Sequence, residues 1–314
     1  MTYQSLTERA RTKTNFETVQ DYLKFASDVL SKKSEFLQAE IICQNEIDYR
    51  FWQLPMEANF AISRPLNSVL LSTVSEIKEF NDSFVPEIGR REFMQSLGET
   101  ERSLLRRVLY TTQQMIGICL DGLPANESNF ARKLNGDLFE RFMQLWFRAQ
   151  GVQCSSAVVR VPVMVDGVKQ CDMNFQHDLV LKYDNAVKVI GSVKTSSKDR
   201  IGKIFIDKLL LSSLTGEDIP HIAIFLNDVQ RGRKTERSYR VSSTFLPGHF
   251  KAYSIKLIPL DGVYYCDLRP NMISAPMLKA RISSIDRLFC DEIWTFLDSV
   301  GDTPVEVVQD EGLA

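Results

Sequence analysis

An aspartate and a lysine sixteen residues apart are the side chains best suited to chemistry in this sequence. Asp178 begins the apolar run 178–181, and Lys194 closes the run 187–194. Both runs are typical of strands, and the turn residues 183–186 between them predict a hairpin. In such a hairpin a carboxylate and an ammonium converge at one end of the sheet. This pair suits hydrolysis of a phosphodiester, with Mg²⁺ on the carboxylate and the lysine orienting or deprotonating the nucleophile.

Two further acids lie within reach of this hairpin. Glu140 belongs to the preceding amphipathic helix, and Asp207 follows Lys194 by thirteen residues on the next helix. Each has a plainer interpretation as a solvated helix residue, since Arg141 follows Glu140 and Lys203 stands four residues before Asp207.

Asp172 and His177 are alternatives close to Asp178. We prefer Asp178 over Asp172 as a metal ligand, because an acid at the head of an apolar strand is costly and needs an explanation. His177 is either a metal ligand or proton relay, or a hydrogen-bonded structural histidine, which is the commoner outcome.

The segment that follows Lys194 suits DNA recognition. Arg200 can donate two hydrogen bonds to guanine, and Asp199 can accept one from the cytosine amino group, so the pair can read a C·G base pair. Lys198 can do likewise or hold a phosphate. A second basic cluster contains Arg231, Arg233 and Lys234 and is either a set of DNA backbone contacts or a solvated loop.

These residues together resemble a known family. Asp178, Ser192-Val193-Lys194, Glu140 and Asp207 look like the PD-(D/E)XK nuclease core. More closely, they resemble its variant in the restriction endonucleases of the CCGG family, where Ser replaces the second acid and a carboxylate from the next helix substitutes for it. The run 192–200 is the most specific part of the resemblance. The sequence departs from the family pattern in having His177 where the motif has Pro, and Asp rather than Glu at 207.

The resemblance implies a function as well as a fold. It implies a Mg²⁺-dependent type II endonuclease that cuts double-stranded DNA at a palindrome with CC and GG half-sites, either CCGG or an interrupted CCNGG or CCWGG type, leaving 5′-phosphate ends. Asp178 and Asp207 would hold the metal, and Lys194, Glu140 and Ser192 would complete the catalytic set. A homodimer and a cognate DNA methyltransferase are implied as partners. The alternatives are a structure-selective repair or junction nuclease and a non-catalytic DNA-binding module of the same fold.

The elements that must position these residues fall into two regions. Residues 1–120 have helical periodicity, with helices expected at 16–39, 67–80, 86–96 and 99–120 and a loop at 51–66. We expect this region to dimerise or to clamp DNA.

Residues 121–300 predict an α/β (α+β) catalytic domain, a mixed central sheet flanked by helices. Its helices are expected at 129–150, 200–214 and 284–299, with a central buried strand at 222–226 and further β structure at 253–266. We expect the acidic tail 301–314 to be frayed.

Composition is that of an ordinary globular protein. The 314 residues carry a net charge of −2, which by itself argues against nucleic acid, but residues 188–240 hold a local excess of five positive charges. The six cysteines show no CxxC spacing, and no apolar stretch is long enough for a membrane span. These features predict a cytoplasmic protein with reduced cysteines and no membrane association.

Overall fold

A computed structural model describes residues 2–55, 60–183, 186–232, 239–298 and 306–309. Its α-helices are α1 (Tyr3–Arg11), α2 (Val19–Ser31), α3 (Lys33–Phe36), α4 (Val74–Glu79), α5 (Arg91–Ser96), α6 (Glu99–Asp121), α7 (Ser128–Ala149), α8 (Ile201–Thr215), α9 (Pro247–Lys256), α10 (Pro276–Lys279), α11 (Ile285–Arg287) and α12 (Ile293–Leu297). Turns of 3₁₀ or π helix lie at Lys13–Asn15, Ser68–Leu70, Phe80–Phe84, Val85–Glu87, Ala125–Glu127, Pro270–Ile273 and Leu288–Glu292.

The strands form a large central sheet, a small N-terminal sheet and a short hairpin. They are β1 (Ala39–Ile42), β2 (Tyr49–Pro55), β3 (Phe60–Ile62), β4 (Leu66–Asn67), β5 (Gln153–Val165), β6 (Val168–Tyr183), β7 (Ala186–Lys194), β8 (His221–Phe225), β9 (Val229–Arg231), β10 (Val241–Ser243), β11 (Gly262–Tyr265), β12 (Ile282–Ser284) and β13 (Glu306–Gln309).

The central sheet is mixed, as the sequence predicts. Its strand order is β12-β11-β8-β7-β6-β5-β13. Strands β7, β8, β11 and β12 run parallel to one another, whereas β5, β6 and β13 pair antiparallel. Every residue of β8 is buried, which confirms the expected central strand. The carboxyl ends of the parallel strands, including Lys194 at the end of β7, therefore lie along one edge of the sheet.

Helices cover both faces of this sheet. Leu179 and Val193 belong to the largest core, which also contains the apolar faces of α6 and α7. Val180 and Ile190, on the opposite face, pack with Leu211 of α8. Adjacent residues such as Leu179 and Val180 thus pack into different cores, because successive side chains of a strand point to opposite faces of the sheet. The helices predicted at 99–120, 129–150 and 200–214 are confirmed as α6, α7 and α8.

The N-terminal region contains strands as well as helices, so the prediction of a loop at 51–66 is wrong. Strand β2 pairs with β1, β3 and β4 in an antiparallel sheet. The sequence conceals this strand because its adjacent residues Phe51 and Trp52 are both buried, in two different cores, and the polar–apolar alternation is lost. Pro55 is tolerated because it ends the strand.

Other element boundaries differ from the sequence prediction. The β structure expected at 253–266 is confined to β11, since residues up to 256 belong to α9, which starts with a proline at its first turn. The helix expected at 16–39 divides into α2 and α3, and those at 67–80 and 86–96 shorten to α4 and α5. The helix expected at 284–299 is interrupted by the π turn Leu288–Glu292.

The N-terminal helices and the strand of the C-terminal tail both pack or pair with the central domain. Tyr22 of α2 stacks on Phe142 of α7, with ring centroids 4.5 Å apart, and its hydroxyl donates to the carbonyl of Leu138 at 2.9 Å. The helices of the first 120 residues therefore share one core with the central sheet. Within the tail, β13 pairs with β5, so these four residues are not frayed; the rest of the tail lies outside the described residues.

Candidate active site

Lys194 lies at the centre of a half-buried cluster of charges. Its Nζ atom is 2.5 Å from Oδ2 of Asp178 and 2.7 Å from Oε1 of Glu140. Burial lowers the pKa of Lys194, but the two carboxylates outweigh burial and hold the pKa above its usual value. The side chain is therefore an ammonium at neutral pH. The structure thus brings together three of the residues that the sequence singles out.

A β-bulge in strand β6 positions Asp178. Ser155 of β5 pairs with Val180, but the next pair is Ala157 with His177, so β6 has one residue more than β5 between these pairs. Bulges redirect side chains and are common beside active sites. The Oδ2 atom of Asp178 also accepts the backbone N–H of Val193 at 2.8 Å, which fixes the carboxylate against β7.

Helix α7 supplies two side chains to the site. Glu140 reaches Lys194, and one turn later Gln144 donates to the backbone carbonyl of Asp178 at 2.9 Å. Burial, followed by the charge of Asp178, raises the pKa of Glu140 to about 7, and Lys194 offsets this only in part. Gln144 was missed by the sequence analysis, although its spacing of four residues from Glu140 places both on one helix face.

The cluster has the donor chemistry for a divalent cation. Asp178 and Glu140 are two carboxylates that share one ammonium, and oxygen ligands of this kind suit Mg²⁺. The raised pKa of Glu140 indicates that the positive charge at the site is insufficient for both carboxylates to ionise easily. In the described part of the chain, no three His, Cys, Asp or Glu side chains form a group that could hold a metal. Asp178 and Glu140 are the two carboxylates that this cluster could offer to a cation.

In the described part of the chain, no side-chain hydrogen bond or ion pair connects Asp207 or Ser192 to this cluster. Asp207 forms an ion pair with Lys203 on the same helix, and no other ion pair involves it within the described ranges. Lys203 is near enough to His177 that its charge, after burial, helps to lower the pKa of that histidine to about 4. Among the residues that the structure describes, Asp207 has no hydrogen bond or ion pair with Asp178 or Lys194. Ser192 lies half-buried in β7, two residues before Lys194.

The segment proposed for DNA recognition is an exposed loop between β7 and α8. Lys198, Asp199 and Arg200 are all solvent-exposed. Asp199 has a φ of 57°, a left-handed conformation that is uncommon for a residue other than glycine. Arg200 precedes the first turn of α8, and Lys198 Nζ donates to Oε1 of Gln230 at 2.8 Å. The loop begins directly after the strand that ends in Lys194.

A cleft of about 480 Å³ lies beside this loop. Its walls include Lys198, Asp199, Gln230 and Thr244, together with aromatic side chains from α9 and the segment before it. Asp228, which accepts hydrogen bonds from the lining residues Ser197 and Thr244, was not predicted from the sequence. It follows the end of the apolar strand β8 by three residues, at the same sheet edge as Lys194, and that position is the signal by which it could have been found.

The remaining sequence candidates are accounted for elsewhere. Asp172 forms an exposed ion pair with Lys169 in the outer part of β6. His177 is buried, with its ring 5.4 Å from that of His221, and burial lowers the pKa of both histidines. The guanidinium of Arg231 lies over the rings of Phe51 and Tyr239. Arg233 and Lys234 lie outside the described residues.

No protein-family model matches the sequence, and no curated protein is significantly similar to it. Among the helices that the structure describes, none is both long and apolar enough to cross a membrane.

The solved structures that are similar to this one include two restriction endonucleases. The crystal structure of the type IIP restriction endonuclease Kpn2I matches with a TM-score of 0.67 and 17% identity, covering 94% of this chain and 97% of that chain. A complex of the restriction endonuclease PspGI with substrate DNA matches with a TM-score of 0.42 and 13% identity, over 74% of this chain and 92% of that one. The first of these similarities extends over nearly the whole of both chains. The protein thus has a restriction-endonuclease-like fold.

Proposed function

We propose that this protein is a type II site-specific deoxyribonuclease that hydrolyses double-stranded DNA with the help of Mg²⁺. The observation that carries the proposal is the contact of Lys194 with both Asp178 and Glu140 at the carboxyl edge of the parallel strands. An ammonium between two carboxylates beside a basic loop matches what phosphodiester hydrolysis needs. The similarity of the fold to that of Kpn2I supports the same proposal.

Each residue has a defined part in the reaction. Asp178 and Glu140 would hold the metal, which when bound lowers the pKa of water and neutralises charge on the phosphate. Lys194 is charged, so it donates hydrogen bonds to a phosphate oxygen or to the attacking water and does not serve as a base. Val193 and Gln144 keep Asp178 in place. Asp207, which the family resemblance implies as the second metal ligand, is the alternative to Glu140.

The recognition segment supports sequence-specific binding. Lys198, Asp199 and Arg200 are exposed within six residues of Lys194, so the groups that read a base pair and the group that assists cleavage are connected by a short loop. We propose CC and GG half-sites, in a CCGG or interrupted CCNGG or CCWGG palindrome, with 5′-phosphate ends as products.

The biological setting follows from this activity. We propose a homodimer, because a break in both strands of a palindrome needs two active sites, and a cognate DNA methyltransferase that protects the host site. The region 1–120 would dimerise or clamp DNA, and Arg231 with Arg233 and Lys234 would contact the DNA backbone. A cytoplasmic location agrees with six free cysteines.

Digestion of DNA tests the proposal. The purified protein is incubated with plasmid DNA and Mg²⁺, and with a branched DNA of the same length. Discrete fragments are expected, and sequencing of the fragment ends gives the site and the cut position. Cleavage confined to the branched DNA would instead indicate a structure-selective nuclease. If no divalent metal supported cutting although DNA was bound, the protein would be a binding module.

A further inference from the structure

Asp228 is a fully buried carboxylate that gathers hydrogen bonds from three separate segments of the chain. Its Oδ1 atom accepts from the backbone N–H of Ser197 at 2.7 Å, from Ser196 Oγ at 2.8 Å and from Thr244 Oγ1 at 3.0 Å. Its Oδ2 atom accepts from the hydroxyl of Tyr265 at 2.7 Å and from Ser197 Oγ. Five donors therefore converge on one side chain.

The donors of Asp228 are all neutral. In the part of the chain that the structure describes, no lysine, arginine or histidine forms an ion pair with this carboxylate. A buried charge without a partner cation is expensive unless hydrogen bonds satisfy it fully. A network of this kind holds its members in one arrangement, because the loss of a single donor leaves part of the charge unsatisfied.

Three of the five bonds come from the residues immediately before the recognition segment. Ser196 and Ser197 precede Lys198, Asp199 and Arg200, and Ser197 also accepts the backbone N–H of Arg200 on its carbonyl at 3.0 Å. Asp199 has a left-handed backbone, a conformation that is uncommon for residues other than glycine although aspartate tolerates it better than most. The bonds to Asp228 hold the backbone on the amino-terminal side of this segment.

The other two bonds connect Asp228, the anchor of the loop, to the rest of the sheet edge. Tyr265 belongs to β11, and Thr244 follows β10 and donates its backbone N–H to the carbonyl of Asp228 at 3.0 Å. On the other side of the loop, Lys198 contacts Gln230 of β9, two residues after Asp228. The loop that carries the proposed reading residues is therefore fastened to the strand next to β7.

We propose that Asp228 is a positioning residue for DNA sequence recognition: it holds the loop 196–200 so that Asp199 and Arg200 meet a base pair in one fixed orientation. The inference rests on the proposed function, and it assigns to Asp228 an effect on specificity and no contact with the scissile phosphate. Loss of the anchor then weakens binding to the cognate site while leaving contacts to the DNA backbone in place.

Two single substitutions form a matched test. Ser197→Ala and Tyr265→Phe each remove one hydroxyl donor from the same oxygen of Asp228, but only Ser197 lies in the recognition loop.

Two substitutions of Asp228 itself complete the test. Asp228→Ala removes the anchor. Asp228→Asn retains it, because the amide oxygen can accept from Ser197 N while the amide nitrogen donates to the hydroxyls of Ser197 and Tyr265. Binding is measured on a short duplex with the site found from the wild-type digest and on one with a single base pair of it changed.

A role in positioning predicts a specific pattern. Asp228→Ala should lose about tenfold or more in affinity for the cognate duplex and less than about twofold for the altered one, since a buried network is broken. Ser197→Ala should lower the discrimination more than Tyr265→Phe, and Asp228→Asn should restore most of it. If Asp228→Ala lacks a cooperative unfolding transition, the variant is not folded. The discrimination measured for Ser197→Ala, Tyr265→Phe and Asp228→Asn then tests the proposal.

Other results would overturn the proposal or its basis. Equal effects of Ser197→Ala and Tyr265→Phe, or equal losses on both duplexes, would show that Asp228 serves stability alone. Wild-type discrimination in Asp228→Ala would also refute the role. A wild-type protein that neither cuts nor prefers any sequence would overturn the proposed function itself, which is a different outcome from a specific enzyme that does not depend on Asp228.

Discussion

The ammonium of Lys194 and the carboxylate of Asp178 are in direct contact, with 2.5 Å between Nζ and Oδ2. The two residues lie on adjacent antiparallel strands, and the same carboxylate oxygen accepts the N–H of Val193 at 2.8 Å. The carboxylate is thus held from two sides by the strand that carries its partner, so the geometry of the pair is set by the backbone of the hairpin.

Lys194→Ala should abolish cleavage while sparing DNA binding. Removal of the ammonium takes away charge stabilisation at the phosphate, and we expect the single-turnover rate to fall by at least about a hundredfold. The rate is measured on plasmid DNA, and binding is measured on a duplex without metal. Lys279→Ala, an exposed lysine on α10, is the control. Normal cutting by Lys194→Ala would show that the active site lies elsewhere.

Glu140→Gln and Asp207→Asn distinguish the two candidates for the second carboxylate. Because Glu140 contacts Lys194 and Asp207 is paired with Lys203, we expect Glu140→Gln to slow cleavage about a hundredfold and Asp207→Asn less than about threefold. Titration with Mg²⁺ followed by cleavage assays gives the metal dependence of each variant. The reverse order would establish Asp207 as the ligand and imply that Lys203 releases it on DNA.

The stability of the metal-free protein should carry a pH dependence that originates from Glu140. Burial and Asp178 raise its pKa from 4.5 to about 7, so the folded state binds a proton that the unfolded state releases. The resulting stability is fully present below about pH 4.5 and is lost as the pH rises through about 7. It amounts to at most about 3.5 kcal/mol, because a change of one in pKa corresponds to about 1.4 kcal/mol.

Thermal unfolding in EDTA between pH 5 and pH 8 measures this dependence. The Tm of the wild-type protein should fall relative to that of Glu140→Gln as the pH increases, since the amide does not titrate. Glu217→Gln, an exposed control, should follow the wild type. Parallel curves for the wild type and Glu140→Gln would be inconsistent with the raised pKa.

Arg200→Ala should relax sequence recognition. If the guanidinium reads guanine through two hydrogen bonds, its loss costs about 1–3 kcal/mol, or roughly tenfold to a hundredfold in affinity for the cognate duplex. Affinity for unrelated DNA should change little. Competition binding with the two duplexes measures the ratio, and the exposed Arg160→Ala is the control. A uniform loss of affinity on both duplexes would make Arg200 a phosphate contact.

The sequence by itself determined the parts of the site that are local in the chain. Asp178 and Lys194 belong to one hairpin, and Lys198, Asp199 and Arg200 are consecutive, so their proximity follows from strand pairing and chain connectivity alone. Helices α6, α7 and α8 were likewise recognisable, because each has a long amphipathic or apolar pattern that one periodicity describes.

The tertiary structure decided which distant residues join them. Glu140 and Asp207 are equally plausible in the sequence, and only the packing of α7 and α8 on the central sheet brings Glu140 to Lys194 and leaves Asp207 with Lys203. The donors to Asp228 come from both directions along the chain. Ser196 and Ser197 lie 32 and 31 residues before it, and Thr244 and Tyr265 lie 16 and 37 residues after it. Local periodicity reports which face of an element is buried, but the neighbour that covers it is selected by the energy of the whole packed core.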